Sequence, residues 1–537
     1  MSLSGFLVLS ATIIFVCIIA NKISRKLGVP TLLLFILLGI FFRMGTFFKD
    51  VTVSYPLAEK VCSIALMFII FYGGFSTRWR AARPVAVKAI VLSSLGTVLT
   101  AAITAVFCHW ILGMSLMEGL VIGSVLGSTD AASVFFILRS RRLNLKDGSA
   151  SLLEVESGSN DPFAYMMTII ALSAMDGSLS GPAILRLLIF QLGIGVAGGF
   201  LIGFLSGYIL KKKANWSDGL DTVFVFGAAL LSYALPDVLG GNGYLSTYIA
   251  GIVIGNHELQ NKKNLVNFFD GLTGLMQMIL FFLLGLLAYP ARMKAAVVPS
   301  IAVALILTFI ARPAAVAILL LPFKVKLRQY LVLSWAGLRG AASIVFAIMA
   351  VNSMQNATYD IFHIVLCVVI FSILLQGSLL PVLAQRLDMI DTASDVMRTF
   401  SDYTEEHQMQ FLQCEIDASH PWAHHMISQI DLLPNTLIAV VLHEGKTVVP
   451  HGDTVVEPGD IVLLCTEGVA DLPDVTLKEI TISEDHRWCG KYLYQARIPD
   501  NIIVLMVKRS GAYIVPDGNT RLARGDVVVA YVKAKAG

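Results

Sequence analysis

The sequence predicts an all-α polytopic membrane protein that ends in a small α+β tail. Three observations carry this. Of 537 residues, 56% are hydrophobic and only 14% are charged, where ordinary soluble domains carry about 25% charge. The mean hydropathy is +0.75. From about residue 387 the apolar runs stop, and short alternating strands with glycine turns take over. The net charge of +3 is too small to suggest a nucleic-acid partner. The seven cysteines (17, 62, 108, 367, 414, 465 and 489) form no CxxC pair and no disulfide framework.

About 20 apolar residues cross a bilayer core. Thirteen windows meet or approach that length: 5–22, 29–48, 57–76, 85–112, 115–137, 151–174, 183–210, 219–238, 243–257, 268–289, 294–321, 327–352 and 360–385. The first window has no positive residue before it and Lys22, Arg25 and Lys26 after it, the reverse of a cleavable signal. Loops after odd-numbered windows hold eighteen basic residues, including Arg78, Arg80 and Arg83, Arg139, Arg141 and Arg142, and Lys211, Lys212 and Lys213. Loops after even-numbered windows hold four: Arg43, Lys49, Arg292 and Lys294. Basic residues favour the cytoplasmic side, so the expected topology has the amino terminus outside and the tail in the cytoplasm.

The informative residues are charges inside the windows. ESGSNDP (156–162) opens the sixth one. At 1.5 Å per residue, Asp161 is expected ~15 Å deep, near mid-membrane. Glu154, Ser157 and Asp161 share one helix face, and Glu156 and Asn160 share the next. Glu154 is placed to line a funnel towards Asp161. The fifth window reads GSVLGSTDAASV, with Thr129 and Asp130 among glycines and small hydroxyls. That composition predicts a broken helix whose free carbonyls line a cavity. Arg312 and Arg339 lie at similar depth in the eleventh and twelfth windows. Asp130, Glu156 and Asp161 against Arg312 and Arg339 leave one negative charge unbalanced. One proton or one monovalent cation neutralises it, and competition between them at Asp161 would couple their movements. Glu156 is expected to pair with Arg312.

Alternative chemistries find less support. HPWAHH (420–425) fits a solvated face better than a metal site, and GVAGGFLIGFLSG (195–207) fits close helix packing better than a nucleotide loop. No Ser-His-Asp or HExxH constellation suggests an enzyme, and no TVGYG-like filter suggests a potassium channel. In the tail, VVPHGDTVVEPGDIVLL (448–464) repeats as IVPDGNTRLARGDVVVA (514–530) with a period of 66, which predicts two β-rich lobes.

ESGSNDP, TDAAS, GNGYLSTYIAGIVIGN (241–256) and GLRGAAS (337–343) together resemble, in order, the motifs of the NhaP/NHE cation/proton antiporters. The resemblance covers about 5–385. It implies thirteen helices, inverted repeats pairing helices 4–6 with 11–13, crossed broken helices, a homodimer and elevator-type movement of the core. It implies Asp161 as the ion-binding carboxylate, with Asn160, Ser157, Thr129 and Asp130 around it, a structural pair of Glu156 with Arg312, and Arg339 supporting the crossing. Ala131 replaces the family's proline, which is similar to the potassium-preferring, NhaP2-like branch. Asn160 before the aspartate is similar to electroneutral members. The activity implied is exchange of K⁺, or alternatively Na⁺, for H⁺ across a bacterial inner membrane.

The tail resembles the RCK_C (TrkA-C) lobe, present twice, without the preceding Rossmann lobe. The resemblance implies regulation, with a nucleotide or cyclic dinucleotide as the candidate ligand and no other cofactor. The expected boundaries are 1–386 for the exchanger, 387–401 for a linker, and 402–472 and 473–537 for the lobes.

Overall fold

The computed structural model describes all residues except 1–2, 28–29, 45–53, 131–132, 135–136, 139–142, 144, 176–180, 213–218, 258, 260–261, 355–357, 392–408, 419, 433–435, 444–445, 449, 468–476, 485, 497, 499–501, 510–511, 515 and 533–537. Ala131 and most of the expected linker fall outside the described residues. The chain divides into two compact units, Met1–Ser401 and Asp402–Gly537.

The first unit is helical. Its helices are α1 (Leu3–Leu27), α2 (Thr31–Met44), α3 (Tyr55–Ser76), α4 (Trp79–Ala82), α5 (Ala86–Val91), α6 (Thr97–Leu112), α7 (Leu116–Val125), α8 (Ser149–Met175), α9 (Gly181–Lys212), α10 (Leu220–Val238), α11 (Gly243–Gly255), α12 (Lys262–Leu287), α13 (Pro290–Ile306), α14 (Arg312–Leu320), α15 (Leu327–Trp335), α16 (Ala341–Ser353), α17 (Ile361–Phe371) and α18 (Ser378–Arg386). Among the described residues, seven continuous helices are long and apolar enough to cross a membrane, and five shorter apolar helices accompany them. Many large apolar side chains point outwards, Phe41, Trp110, Phe204 and Leu321 among them. An exposed apolar rim of that extent suits hydrocarbon rather than water.

Among the described residues, three helices carry a π-helical turn: Leu92–Gly96 joins α5 to α6, Leu307–Ala311 joins α13 to α14, and Ser372–Gly377 joins α17 to α18. Such turns are rare and recur at functional sites. Two helices are interrupted outright. α7 ends at Val125 and the chain is irregular through Ser128, Thr129 and Asp130; α15 ends at Trp335 and the chain is irregular through 337–340 before α16. Gly199 and Gly203 of α9 abut α11 at Ser246, Ile249 and Val253.

In the second unit, β1 (Met409–Glu415), β2 (His425–Met426), β3 (Thr436–His443), β4 (Lys446–Val448), β5 (Val455–Val456) and β6 (Ile461–Glu467) form the first lobe. β7 (Leu477–Thr481), β8 (Ile502–Arg509), β9 (Ala512–Ile514) and β10 (Val527–Val532) form the second. The sheet orders are β1-β6-β3-β4 and β7-β10-β8-β9, antiparallel throughout. The repeat extends to single pairs: Met426 faces Val455, and Tyr492 faces Arg521, each partner displaced by the same 66 residues. The tail is strand-rich. Among the described tail residues the only helical elements are one-turn 3-10 segments, Ile427–Gln429 and Leu493–Gln495. Each lobe carries a matched backbone turn after its first strand. In each, a Trp amide donates to a His ring two residues before it, Trp422 to His420 and Trp488 to His486.

Candidate functional site

The site is built where α8 crosses the two broken helices. Thr129 and Asn160 hold each other reciprocally. The Thr129 amide donates to Asn160 Oδ1 at 3.3 Å, and Asn160 Nδ2 donates to Thr129 Oγ1 at 2.5 Å. The Ser157 hydroxyl donates to the Thr129 carbonyl at 2.6 Å. These bonds satisfy backbone groups that the interrupted helix leaves without partners. They fix the break against α8.

Asp161 stands at the centre and is half-buried. Its Oδ1 accepts from the Ser128 hydroxyl at 2.5 Å. Sequence reasoning did not single out Ser128 as a site residue. Its signal was present: it is the hydroxyl just before Thr129 and Asp130 in the break.

The two breaks cross and complement each other. The Asp130 amide donates to the Leu338 carbonyl at 2.8 Å. Arg339 reaches back with Nη1 to the Leu126 carbonyl and, at 3.1 Å, to the Ser128 carbonyl. A cation thus sits at the carbonyl end of α7, where the helix dipole favours it. Asp130 does the converse: its carboxylate accepts from the Ser133 amide at 3.2 Å and the Ser133 hydroxyl at 2.5 Å. It also lies against Gly340 at the amino end of α16, where a methyl group would stand 2.6 Å from its Oδ2. Only glycine admits the carboxylate there. Ser372, on a π-helical turn, accepts from the Arg339 amide at 3.0 Å and pairs with Gln376. Neither residue was singled out from sequence.

Glu156 and Arg312 form a fork of 2.5 and 2.9 Å, with Glu156 1% and Arg312 4% exposed. Arg312 also donates to the Leu333 carbonyl at 3.4 Å. Such two-point geometry is the strongest form of an ion pair.

Glu154 is half-buried on the Asp161 face, two turns towards the amino end of α8. On the other side of Asp161, aromatic rings close the space. Tyr165 packs edge-on to Tyr244 at 5.0 Å and tilted to Phe346 at 5.7 Å; Tyr244 continues to Tyr233 at 4.9 Å.

Broken, mutually charge-compensated helices around one half-buried carboxylate define the class: an ion-translocating membrane protein. Residues 11–386 match the family described as "Sodium/hydrogen exchanger, transmembrane", and the chain belongs to that family. Residues 412–469 and 477–536 each match the TrkA-C domain, in agreement with the sequence resemblance. The K(+)/H(+) antiporter NhaP2 of Shewanella sp. (strain MR-4) is 31% identical over 480 residues, covering 87% of this chain and 82% of that protein. The K(+)/H(+) antiporter NhaP of Alkalimonas amylolytica is 30% identical, covering 86% and 81%. The Na(+)/H(+) antiporter ApNhaP of Aphanothece halophytica is 24% identical, covering 75% and 78%. Among solved structures, the sodium proton antiporter MjNhaP1 of Methanocaldococcus jannaschii superposes with a TM-score of 0.63 at 23% identity, over 72% of this chain and 99% of that one. That likeness concerns the fold.

Proposed function

We propose that this protein exchanges a monovalent cation for a proton, one for one, with Asp161 as the shared binding group. The observation that carries the reading is the contrast at the crossing. Glu156, Arg312 and Arg339 all have strong protein partners, whereas among the described residues the Asp161 carboxylate is held by one serine hydroxyl. A proton or a cation completes it, and each excludes the other. The single unbalanced negative charge supports electroneutral exchange.

Potassium is the favoured cation and sodium the alternative. The relatives at 30–31% identity are named K(+)/H(+) antiporters, and the one at 24% is named for Na(+). Ser128, Ser157, Thr129, Asn160 and Asp130 shape the cavity, the Glu156–Arg312 pair braces it, and Glu154 lines its approach. Thirteen spans arranged as inverted repeats fit the pattern of irregularities. π-Helical turns interrupt the fourth and eleventh windows, and full breaks interrupt the fifth and twelfth. Elevator movement, a homodimer, residence in a bacterial inner membrane with the tail in the cytoplasm, and control by that tail complete the proposal.

The test is purified protein in liposomes with a luminal pH dye, challenged with K⁺ and then Na⁺ at several imposed potentials. Potassium-evoked proton movement that ignores the potential is the expected result. Potential-driven K⁺ flux without proton movement would overturn the reading in favour of a channel.

A further inference from the structure

Glu154 and Asp161 are seven residues apart on α8, so along the helix axis they are separated by about 10 Å. That is too far for a dehydrated cation to pass directly between carboxylates. Between them on that face lie Ser157, whose hydroxyl donates to the Thr129 carbonyl, and Gly158, which has no side-chain oxygen. Two observations place oxygen in the gap. Residue 162 is proline inside the helix, so the Gly158 carbonyl lacks the N–H donor that position 162 would otherwise supply. Across from it, Tyr248 of α11 lays its phenol on Gly158: a methyl group at 158 would stand 2.8 Å from the hydroxyl oxygen and 2.5 Å from Cε2.

Tyr248 is 4% exposed, and among the described residues its hydroxyl has no hydrogen-bond partner. A buried phenol without a partner is costly and calls for one. The nearest polar side chain is Thr77, whose own hydroxyl proton goes to the Gly73 carbonyl at 2.8 Å.

We propose that the Tyr248 hydroxyl and the Gly158 carbonyl form a second, transient cation site, one turn short of Asp161 on the Glu154 side. The cation passes from Glu154 to this pair of neutral oxygens and then to Asp161. Neutral ligands suit a transit station, since a third carboxylate there would trap the ion. Gly158 is glycine because any side chain would expel the phenol from the helix surface. The site rests on the exchange reading above, and it acts on entry from one side of the membrane only.

The experiment compares wild type, Tyr248→Phe and Asp161→Asn in sealed vesicles of both orientations, sorted by protease access to the tail. Potassium is the probe, and apparent KM and maximal rate are read for each face. Tyr248→Phe keeps the ring and removes the oxygen. It is expected to raise the KM for K⁺ from the tail-facing side roughly three- to tenfold, the worth of one lost oxygen contact. The maximal rate, the KM from the opposite face and the melting temperature should stay near wild type. An unchanged KM, or an equal change on both faces, would overturn the transit site. If wild type itself moves no protons in response to K⁺, the exchange reading falls and the station with it. Gly158→Ala is the second variant: it should raise the same one-sided KM by displacing the phenol, and should add little when combined with Tyr248→Phe.

Discussion

Two carboxylates five residues apart on α8 have opposite surroundings. Glu156 meets Arg312 in a closed fork, buried on both sides. Asp161 meets one hydroxyl and remains half-buried. A charge placed in hydrocarbon must be paired or must be used. The difference separates bracing from transport, and it implies that equal chemical changes at the two positions have unlike consequences. Losing Asp161 should cost activity and leave the fold intact. Losing Glu156 should cost the fold.

The largest expected effect is therefore at Asp161. Asp161→Asn keeps the shape and the Ser128 contact but removes the exchangeable charge. Cation-evoked proton movement in liposomes should disappear, with the melting temperature in detergent close to wild type. A comparable loss of melting temperature at both positions would erase the distinction.

At Glu156 the expectation is reversed. Glu156→Gln leaves Arg312 buried and unpaired, which costs about 3–5 kcal/mol. The readout is a drop in melting temperature and in yield of monodisperse protein. Replacing both partners with apolar residues, Glu156→Leu with Arg312→Met, should recover most of the stability, since a buried pair is often no better than a well-packed apolar one. A double variant as unstable as the single one would mean that Arg312 serves chiefly through its bond to Leu333.

A smaller effect sharpens the Asp161 side. Ser128→Ala removes the one hydroxyl that orients the carboxylate, worth roughly 1 kcal/mol or about fivefold. The apparent KM for K⁺ should shift by that amount while exchange persists. Because proton and cation share the carboxylate, the KM should also rise as the pH falls, at constant maximal rate. A pH effect on maximal rate alone would place the proton elsewhere.

The sequence made some of this legible and not the rest, for physical reasons. Helical spacing alone puts Glu154, Ser157 and Asp161 on one face, and the glycine and hydroxyl content of 123–130 signals a break. Charge counting pointed to Glu156 and Arg312, although 156 residues separate them in the chain and no periodicity relates them. What stayed hidden is what depends on tertiary approach. The Arg339 bonds to Leu126 and Ser128 exist only because two breaks cross. Ser128 rather than Thr129 or Asp130 donates to Asp161, because in the irregular break no helical period relates neighbouring side chains. In the tail, the 66-residue period carried through to matched strand pairs. Among the described tail residues the helical elements are single 3-10 turns, and matched His–Trp turns follow the first strand of each lobe.

The smallest effect lies in that repeat, which offers its own comparison. Asp460 and Asp526 occupy the same buried turn in the two lobes, each 1% exposed. In the first lobe the partner is His443, at 2.6 Å from Asp460. In the second it is Arg509, which forks onto Asp526 at 2.8 and 2.7 Å and holds its carboxyl below the usual carboxylate range. A group with a depressed folded pKa stabilises above its unfolded value and ceases to as the pH falls through the folded one. Arg509→Ala should thus destabilise the tail by about 1 kcal/mol at neutral pH, a modest figure because the arginine is partly solvated. That deficit should vanish below the depressed pKa of Asp526. His443→Arg gives the first lobe the permanently charged partner of the second. It should raise the first lobe's unfolding transition, since a two-point arginine fork replaces a single imidazole bond. The check is the tail's unfolding transition in the full-length protein, followed from acid to alkaline pH for wild type and both variants. Superimposable curves for wild type and His443→Arg would mean that the imidazole already holds Asp460 as well as a fork would.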